Sequence, residues 1–254
     1  MMTETVEYRD GSVVLKGYLA YDDQTEKKMP GVLVMPEAFG LGVNAKRRAD
    51  RLAALGYVAL AGDPYGNGFE TSDLQEAMKL STALLTTDPA KFRARGRAGL
   101  DKLASLPQVD ASRLAVIGYC IGGTFALELA RDGAPVRGVV SFHGGLTTQK
   151  PAEKGQVKGK VLLCHGAEDP LVPQETVNAL EKEMTAAGVD WQLIAYGGVV
   201  HSFTNPNAAS VGHPGVAYNQ SADERSWAAM RDFFNEIFTE MDLAQDNAEK
   251  RSTR

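Results

Sequence analysis

The chain has 254 residues, of which 44% are hydrophobic and 23% are charged, and its formal net charge at pH 7 is −5. This length and composition predict one soluble globular domain, residues 1–241, with a large apolar core. The acidic balance and the lack of a basic stripe exclude nucleic acid as an expected partner, and no apolar run reaches membrane-spanning length. Two cysteines are too few for a disulfide framework, and the N-terminus lacks the features of a signal peptide, so we expect a cytoplasmic protein.

The predicted elements alternate between strands and helices along the chain. An N-terminal hairpin is expected from Thr5–Arg9 pairing with Val13–Tyr21 across an Asp-Gly turn. Further strands are predicted at 31–35, 57–61, 114–117, 136–142, 161–165 and 191–196, and helices at 45–55 (capped by Asn44), 72–86, 90–105, 121–131, 174–187 and 222–241. This alternation is typical of βαβ crossovers and predicts a mostly parallel sheet with helices on both faces. Residues 242–254 are expected to form a flexible charged tail.

The segment 118–123, Gly-Tyr-Cys-Ile-Gly-Gly, lies between an apolar strand and a helix. It has the pattern of the nucleophile elbow, G-x-S-x-G, with Cys120 in place of serine. We expect glycine at 118 and 122 because a Cβ at either position would clash with the neighbouring strand or helix. The sulfur would lie over the helix N-terminus, which stabilises negative charge. The alternative is a small buried cysteine on a glycine-rich turn, and the strand-to-helix context favours the nucleophile.

Two later segments place an acid and a histidine after predicted strands, where functional side chains gather in a parallel sheet. Asp169 is suited to orient a histidine, although it also fits an Asx-turn before a proline, and Glu168 is a competing acid. His201 follows the last strand. The order Cys120, Asp169, His201 is the nucleophile-acid-histidine order of α/β-hydrolases. The remaining histidines carry less weight as candidates: His143, His165 and His213.

The segment 35–41 follows an early strand, where this fold supplies the second donor of an oxyanion hole. The backbone N–H groups of Ile121 and Ala38 are the expected donors. Glu37 is the notable side chain, because a carboxylate beside a thiol disfavours the thiolate and can hold a proton on sulfur. The alternative is a surface glutamate at a strand end. No His-x-x-x-His or Cys-x-x-Cys spacing occurs, so neither a metal nor another cofactor is expected.

Together these motifs resemble the dienelactone hydrolase family over roughly residues 5–238. The motifs that carry the resemblance are Pro-Glu-Ala-Phe-Gly at 36–40, the elbow at 118–123, His-Gly-Ala-Glu-Asp-Pro at 165–170 and His-Ser-Phe at 201–203. The resemblance implies an α/β-hydrolase fold and a catalytic triad of Cys120, Asp169 and His201. It also implies that Glu37 hydrogen-bonds the resting thiol and releases it when substrate binds.

One stretch departs from the family pattern. The members that cleave dienelactone bind the substrate carboxylate with arginines, one of them shortly after the catalytic histidine. Here His201 is followed by Ser-Phe-Thr-Asn-Pro, and the arginines at 93, 95 and 97 lie elsewhere. The irregular segment 205–223 is expected to shape the pocket.

The predicted function is hydrolysis of small carboxylic esters or lactones through a cysteine acyl-enzyme. The alternatives are a thioesterase or peptidase on the same fold, or a non-catalytic thiol sensor. The expected partner is a small-molecule substrate, and the sequence leaves its identity and the oligomeric state open.

Overall fold

The computed structural model describes the backbone of residues 1–252 and the side chains of residues 1–239. Its strands are β1 (Met2–Asp10), β2 (Val13–Tyr21), β3 (Met29–Met35), β4 (Val58–Ala61), β5 (Val109–Tyr119), β6 (Gly138–Phe142), β7 (Lys160–Gly166) and β8 (Trp191–Tyr196). Its helices are α1 (Val43–Ala53), α2 (Leu74–Leu85), α3 (Pro89–Ala104), α4 (Ile121–Arg131), α5 (Gln174–Ala186) and α6 (Gln220–Ser252), with a 3₁₀ helix at Ala208–Val211.

The strands form one sheet in the order β1-β2-β4-β3-β5-β6-β7-β8. β2 pairs antiparallel with β1 and with β4, and every later pairing in the sheet is parallel. The hairpin between β1 and β2 turns at Gly11, whose φ of +57° favours glycine. The predicted sheet, mostly parallel with an N-terminal antiparallel hairpin, is confirmed.

Helices cover both faces of this sheet. Successive side chains of a strand point to opposite faces, so Leu33 packs in a cluster with α3, α4 and α5, while Val32 and Val34 pack in a cluster with α1 and α6. The central strands are therefore apolar on both sides, which explains why they appear in the sequence as short uninterrupted apolar runs. Among the described residues, no helix combines the length and the apolar character needed to cross a bilayer.

Several element boundaries differ from the sequence expectation, among them those of β5, α1 and α6. β5 begins at Val109, because its polar first half pairs with Met29 and Pro30 before a register shift at Gly31. Helix α1 begins at Val43 with Gly42 in an extended conformation at its N-cap, so Asn44 lies inside the helix and does not cap it. The backbone of α6 continues to Ser252, past the expected end at 241. The side chains of 240–252 and all of residues 253 and 254 lie outside the described residues, so the flexibility of the tail stays a prediction.

Candidate active site

The turn between β5 and α4 places Cys120 at the carboxyl edge of the sheet. Its φ of +55° and ψ of −121° lie in a region that side-chain-bearing residues rarely adopt. A Cβ at Gly118 would overlap the Gly122 carbonyl, and a Cβ at Gly122 would overlap the carbonyl of Met35 at the end of β3. Glycines at these positions therefore let the helix start directly against the strands and leave the half-buried cysteine at the apex of the turn.

The backbone of Cys120 is held by His143, a residue that follows β6. The Cys120 N–H is shared between the Phe142 carbonyl at 3.0 Å and His143 Nδ1 at 3.1 Å, and the Nε2 of the same ring lies 2.8 Å from Thr204 Oγ1. Because Nδ1 accepts, we assign the proton to Nε2, which donates to Thr204. Burial and the positive charge of His201 hold the pKa of His143 well below its ordinary value, so the ring is neutral. His143 thus joins the elbow to the loop that carries His201.

Asp169 and His201 are brought together at the ends of β7 and β8. His201 Nδ1 lies 2.8 Å from Asp169 Oδ2, and both side chains are buried. The other carboxylate oxygen of Asp169 accepts the N–H of Leu171 at 2.8 Å, so the acid orients the histidine and also forms the Asx-turn. The competing acid, Glu168, is exposed to solvent.

His201 presents its second ring nitrogen, Nε2, without a hydrogen-bond partner among the described residues. Burial lowers the pKa of His201, but the negative charge of the Cys120 thiolate and the hydrogen bond to Asp169 outweigh it and raise the pKa to about 10. The His201 ring therefore carries a proton on each nitrogen at neutral pH. This arrangement brings a thiol together with a histidine that has a proton to donate.

The expected oxyanion donors lie on two separate segments. Ile121 is the first residue of α4, and Ala38 lies in the loop after β3. Among the contacts of the described residues, neither backbone N–H has a hydrogen-bond acceptor. The Tyr65 hydroxyl donates to the Ala38 carbonyl at 2.8 Å and so fixes the loop, a contact that no local sequence signal indicates. Both N–H groups therefore remain free to bind an oxyanion.

Comparison with known proteins identifies the family of this chain. The sequence matches the dienelactone hydrolase family over residues 15–238. The chain belongs to that family. The resemblance inferred from the four motifs is thus confirmed, and it extends over most of the chain.

Similar proteins give the same result. A crystal structure of a dienelactone hydrolase-like promiscuous phosphotriesterase from metagenomic libraries is 44% identical, has a TM-score of 0.88, and is matched over 93% of this chain and 98% of that one. A Bradyrhizobium protein described as a probable 2-oxo-3-(5-oxofuran-2-ylidene)propanoate lactonase is 31% identical over 79% of this chain and 81% of its own length. An α/β-hydrolase from a deep-sea metagenome, 18% identical with a TM-score of 0.65 over 92% of this chain and 98% of that one, shares the fold.

Glu37 does not make the contact that the dienelactone hydrolase resemblance implies. Its Oε2 accepts a hydrogen bond from Asn205 Nδ2 at 2.8 Å, and its Oε1 is buried without a partner among the described residues. Those residues contribute no hydrogen bond between Glu37 and Cys120, because Asn205 holds the carboxylate on the side of the histidine loop. Burial raises the pKa of Glu37 above its ordinary value, and the hydrogen bond from Asn44 and the charge of Arg48 offset only part of this rise. Gating of the thiol by Glu37 stays a prediction.

Arg48 is a buried charge that the sequence analysis did not identify. Its side chain is fully buried in α1, where it pairs with Asp223 of α6 at 2.7 Å and donates to the Thr204 carbonyl at 2.5 Å. A usable signal was present in the sequence, since Arg48 lies on the same helical face as the core residues Ala45 and Leu52. Arg48 thus joins α1 to α6 and to the loop that carries His201, which we call the histidine loop.

The arginines of α3 are not available to bind a substrate carboxylate, because each is paired with an acid. The pairs are Arg93 with Glu128 at 2.8 Å, Arg95 with Asp10 at 2.8 Å and Arg97 with Asp101 at 3.5 Å. In the part of the chain that the structure describes, no group of three His, Cys, Asp or Glu side chains is arranged to hold a metal ion.

Two cavities flank the loops around the elbow. One, of about 240 Å³, is lined by α3 and the first turns of α4, including Phe92, Thr124 and Thr148. The second, of about 210 Å³, lies between residues 37–45 and 205–211, and we call it the acidic cavity. Part of the irregular segment after His201 forms one of its walls, and the role of that segment in shaping a substrate pocket stays a prediction.

Proposed function

We propose that this protein hydrolyses small carboxylic esters or lactones through an acyl-enzyme on Cys120. The observation that carries the proposal is the state of His201. Asp169 holds its Nδ1, its Nε2 is unpartnered, and the Cys120 thiolate raises its pKa to about 10. This is the arrangement that a cysteine nucleophile and its acid-base partner require.

In the first half-reaction the thiolate attacks the substrate carbonyl carbon, and the carbonyl electron pair moves onto oxygen. The N–H groups of Ile121 and Ala38 stabilise that oxyanion, each contributing about 3 kcal/mol in the transition state. When the C–O bond breaks, His201 donates its proton to the departing alkoxide. The products are the alcohol, or the ring-opened end of a lactone, and a thioester on Cys120.

In the second half-reaction neutral His201 takes a proton from water, and the hydroxide attacks the thioester carbonyl. Collapse of the tetrahedral intermediate releases the carboxylic acid and regenerates the thiolate, with the proton left on His201. Asp169 stabilises the imidazolium that is formed and keeps the ring oriented without taking the proton itself. Water supplies both the hydroxyl of the acid and the returned proton, so the cycle closes.

A substrate panel tests the proposal. Wild type, Cys120→Ala and Cys120→Ser are assayed with an aryl ester, a lactone, a thioester, a peptide and a phosphotriester, the last because the 44% identical neighbour is described as a promiscuous phosphotriesterase. We expect ester or lactone turnover by wild type, its loss in Cys120→Ala with an unchanged circular dichroism spectrum, and an acyl mass on Cys120. Full activity in Cys120→Ala would refute the mechanism.

The same experiment separates the alternatives. Preferential turnover of the thioester or the peptide would identify a thioesterase or a peptidase, and labelling of Cys120 without turnover would favour a thiol sensor. We further propose the cytoplasm as the location, supported by two cysteines that are both free thiols.

A further inference from the structure

The loop at residues 63–71, which follows β4, packs against the loop that carries the proposed oxyanion donor Ala38, and we call it the support loop. The Leu41 N–H donates to the Phe69 carbonyl at 3.1 Å. A Cβ at Gly40 would lie 2.2 Å from that same carbonyl oxygen. Glycine at this position therefore lets the two loops run in direct backbone contact.

Asp63 fixes the conformation of the support loop. Its side chain is almost fully buried, and its carboxylate accepts four backbone N–H groups, at 3.0 Å from Tyr65, 2.7 Å from Gly66, 2.7 Å from Gly68 and 3.0 Å from Lys16 of β2. Gly66 and Gly68 have φ values of +111° and +71°, which favour glycine. Hydrogen bonds to a carboxylate are among the stronger ones in proteins, so the support loop holds the backbone of Tyr65 in one conformation.

Tyr65 is the side chain of the support loop that reaches the oxyanion donor. Its hydroxyl donates to the Ala38 carbonyl at 2.8 Å, and among the contacts of the described residues no second donor to that oxygen occurs. Burial and the negative charge of the Cys120 thiolate raise the pKa of Tyr65, so the hydroxyl keeps its proton and acts as a donor. The influence of the thiolate also indicates that the hydroxyl lies near the reacting sulfur.

The contact fixes one of the two peptide groups that adjoin Ala38. In the first, the Glu37 carbonyl accepts the Gly40 N–H at 3.1 Å, which closes a turn. Because a trans peptide directs its C=O and N–H to opposite sides, this bond aims the Ala38 N–H away from the turn. The second peptide group, between Ala38 and Phe39, is the central one of the turn and can rotate without breaking the closing bond. Tyr65 holds its carbonyl.

We propose that Tyr65 is a positioning residue of the oxyanion hole, which fixes the Ala38 carbonyl and so aims the Ala38 N–H at the oxygen where negative charge develops. This inference rests on the proposed ester hydrolysis and adds a residue to its mechanism. Without the hydroxyl, the buried Ala38 carbonyl lacks a donor, and the central peptide rotates toward a new one. The rotation displaces the Ala38 N–H, and oxyanion donors act only within a narrow range of distance. Tyr65 itself exchanges no proton with the substrate.

Tyr65→Phe tests the proposal, because it removes the hydroxyl and keeps the ring and the backbone contacts of the support loop. The substrates are phenyl acetate and δ-valerolactone, each compared with its thiono analogue, in which sulfur replaces the carbonyl oxygen. Sulfur is a weak hydrogen-bond acceptor, so a thiono substrate gains little from the oxyanion hole. The ratio of kcat/KM for the oxygen compound to that for its thiono analogue therefore reports on the oxyanion hole and is independent of any general loss of rate.

In Tyr65→Phe, kcat/KM for the oxygen substrate is expected to fall by about 30-fold, whereas that for the thiono analogue stays within about threefold. The ratio is thus expected to fall by about tenfold. Tyr18→Phe is the matched control, because the Tyr18 hydroxyl donates to Asp50 at the same 2.8 Å and joins β2 to α1. We expect it to keep the wild-type ratio.

Thiol–disulfide exchange separates an effect on the oxyanion hole from an effect on the thiol. The reaction of dipyridyl disulfide with Cys120 requires the thiolate and forms no oxyanion, and Cys164 is too buried to compete. In Tyr65→Phe its rate is expected to stay within about twofold of wild type. Equal losses of disulfide exchange and of hydrolysis would overturn the inference, since Tyr65 would then act on the thiol.

The outcomes separate the two proposals. A wild-type ratio in Tyr65→Phe would refute the positioning role and leave ester hydrolysis intact. Failure of wild type to hydrolyse either phenyl acetate or δ-valerolactone, with normal disulfide exchange at Cys120, would refute ester hydrolysis itself, and the positioning role with it.

Discussion

Replacing Arg48 with methionine tests the buried ion pair beneath the histidine loop. Arg48 is 0% exposed and the Asp223 side chain 8% exposed, and the substitution also removes the hydrogen bond to the Thr204 carbonyl. Removing one partner of a buried pair costs about 3–5 kcal/mol, because the remaining charge stays buried without compensation. We expect Arg48→Met to lower the free energy of unfolding by about 4 kcal/mol, a large part of the about 5–15 kcal/mol typical of a domain.

Urea denaturation at pH 7 measures this loss as a lower midpoint with an unchanged slope. The control is Arg9→Met, because Arg9 forms a 3.9 Å pair with Glu7 in which the side chains are 61% and 57% exposed, and a change within about 1 kcal/mol is expected. Arg48→Met combined with Asp223→Asn is expected to cost less than the sum of the single changes, since the stranded carboxylate is neutralised. If Arg48→Met is no more destabilising than Arg9→Met, the buried pair has no net stabilising role and the reasoning is wrong.

Three further predictions concern the triad and its support. The Cys120 thiolate raises the pKa of His201, so Cys120→Ala is expected to lower that pKa from about 10. NMR titration of the ring protons measures the shift. An unchanged pKa would show that the two groups do not interact. Asp169→Asn is expected to lower kcat by about 10³- to 10⁴-fold with little change in KM, since the amide favours the wrong tautomer of the ring, and wild-type kcat would contradict the assignment. His143→Leu is expected to lower kcat by about 10²-fold, because it releases Thr204 and leaves the Cys120 N–H with the Phe142 carbonyl as its acceptor. His143→Gln, which retains an acceptor and a donor, is expected to keep more activity and the wild-type pH profile between pH 6 and 9. Equal losses in the two His143 variants would show that packing, and not hydrogen bonding, is the role of the ring.

The strands that were predicted well are the ones buried on both faces. Apolar runs such as Val32–Met35 and Leu114–Ile117 identify central strands directly, because both faces of the sheet are covered by helices. The first half of β5, from Val109, was missed because its burial varies from residue to residue and its pairing depends on Met29 and Pro30, which are distant in sequence. A local pattern contains no information about such a partner.

In the candidate site, too, residues within local motifs could be predicted, whereas contacts between distant residues could not. Cys120, Asp169 and His201 could be selected because each lies at a strand end inside a short motif with a known order. The contacts that hold them could not, since they join residues far apart in sequence. His143 and Thr204 are 61 positions apart, and Glu37 and Asn205 are 168 apart. Glu37 illustrates the consequence, because the motif indicates the carboxylate but not the amide that binds it.

The ion pair between α1 and α6 also bears on the order in which the protein matures. Asp223 belongs to α6, and its partner Arg48 holds the Thr204 carbonyl in the loop that carries His201. During synthesis the elbow is made about a hundred residues before this helix begins, so its cysteine first exists without a fixed histidine beside it. Docking of the last helix therefore adds the final support of the loop that carries the proposed triad histidine, and a chain that ends before Asp223 lacks that support.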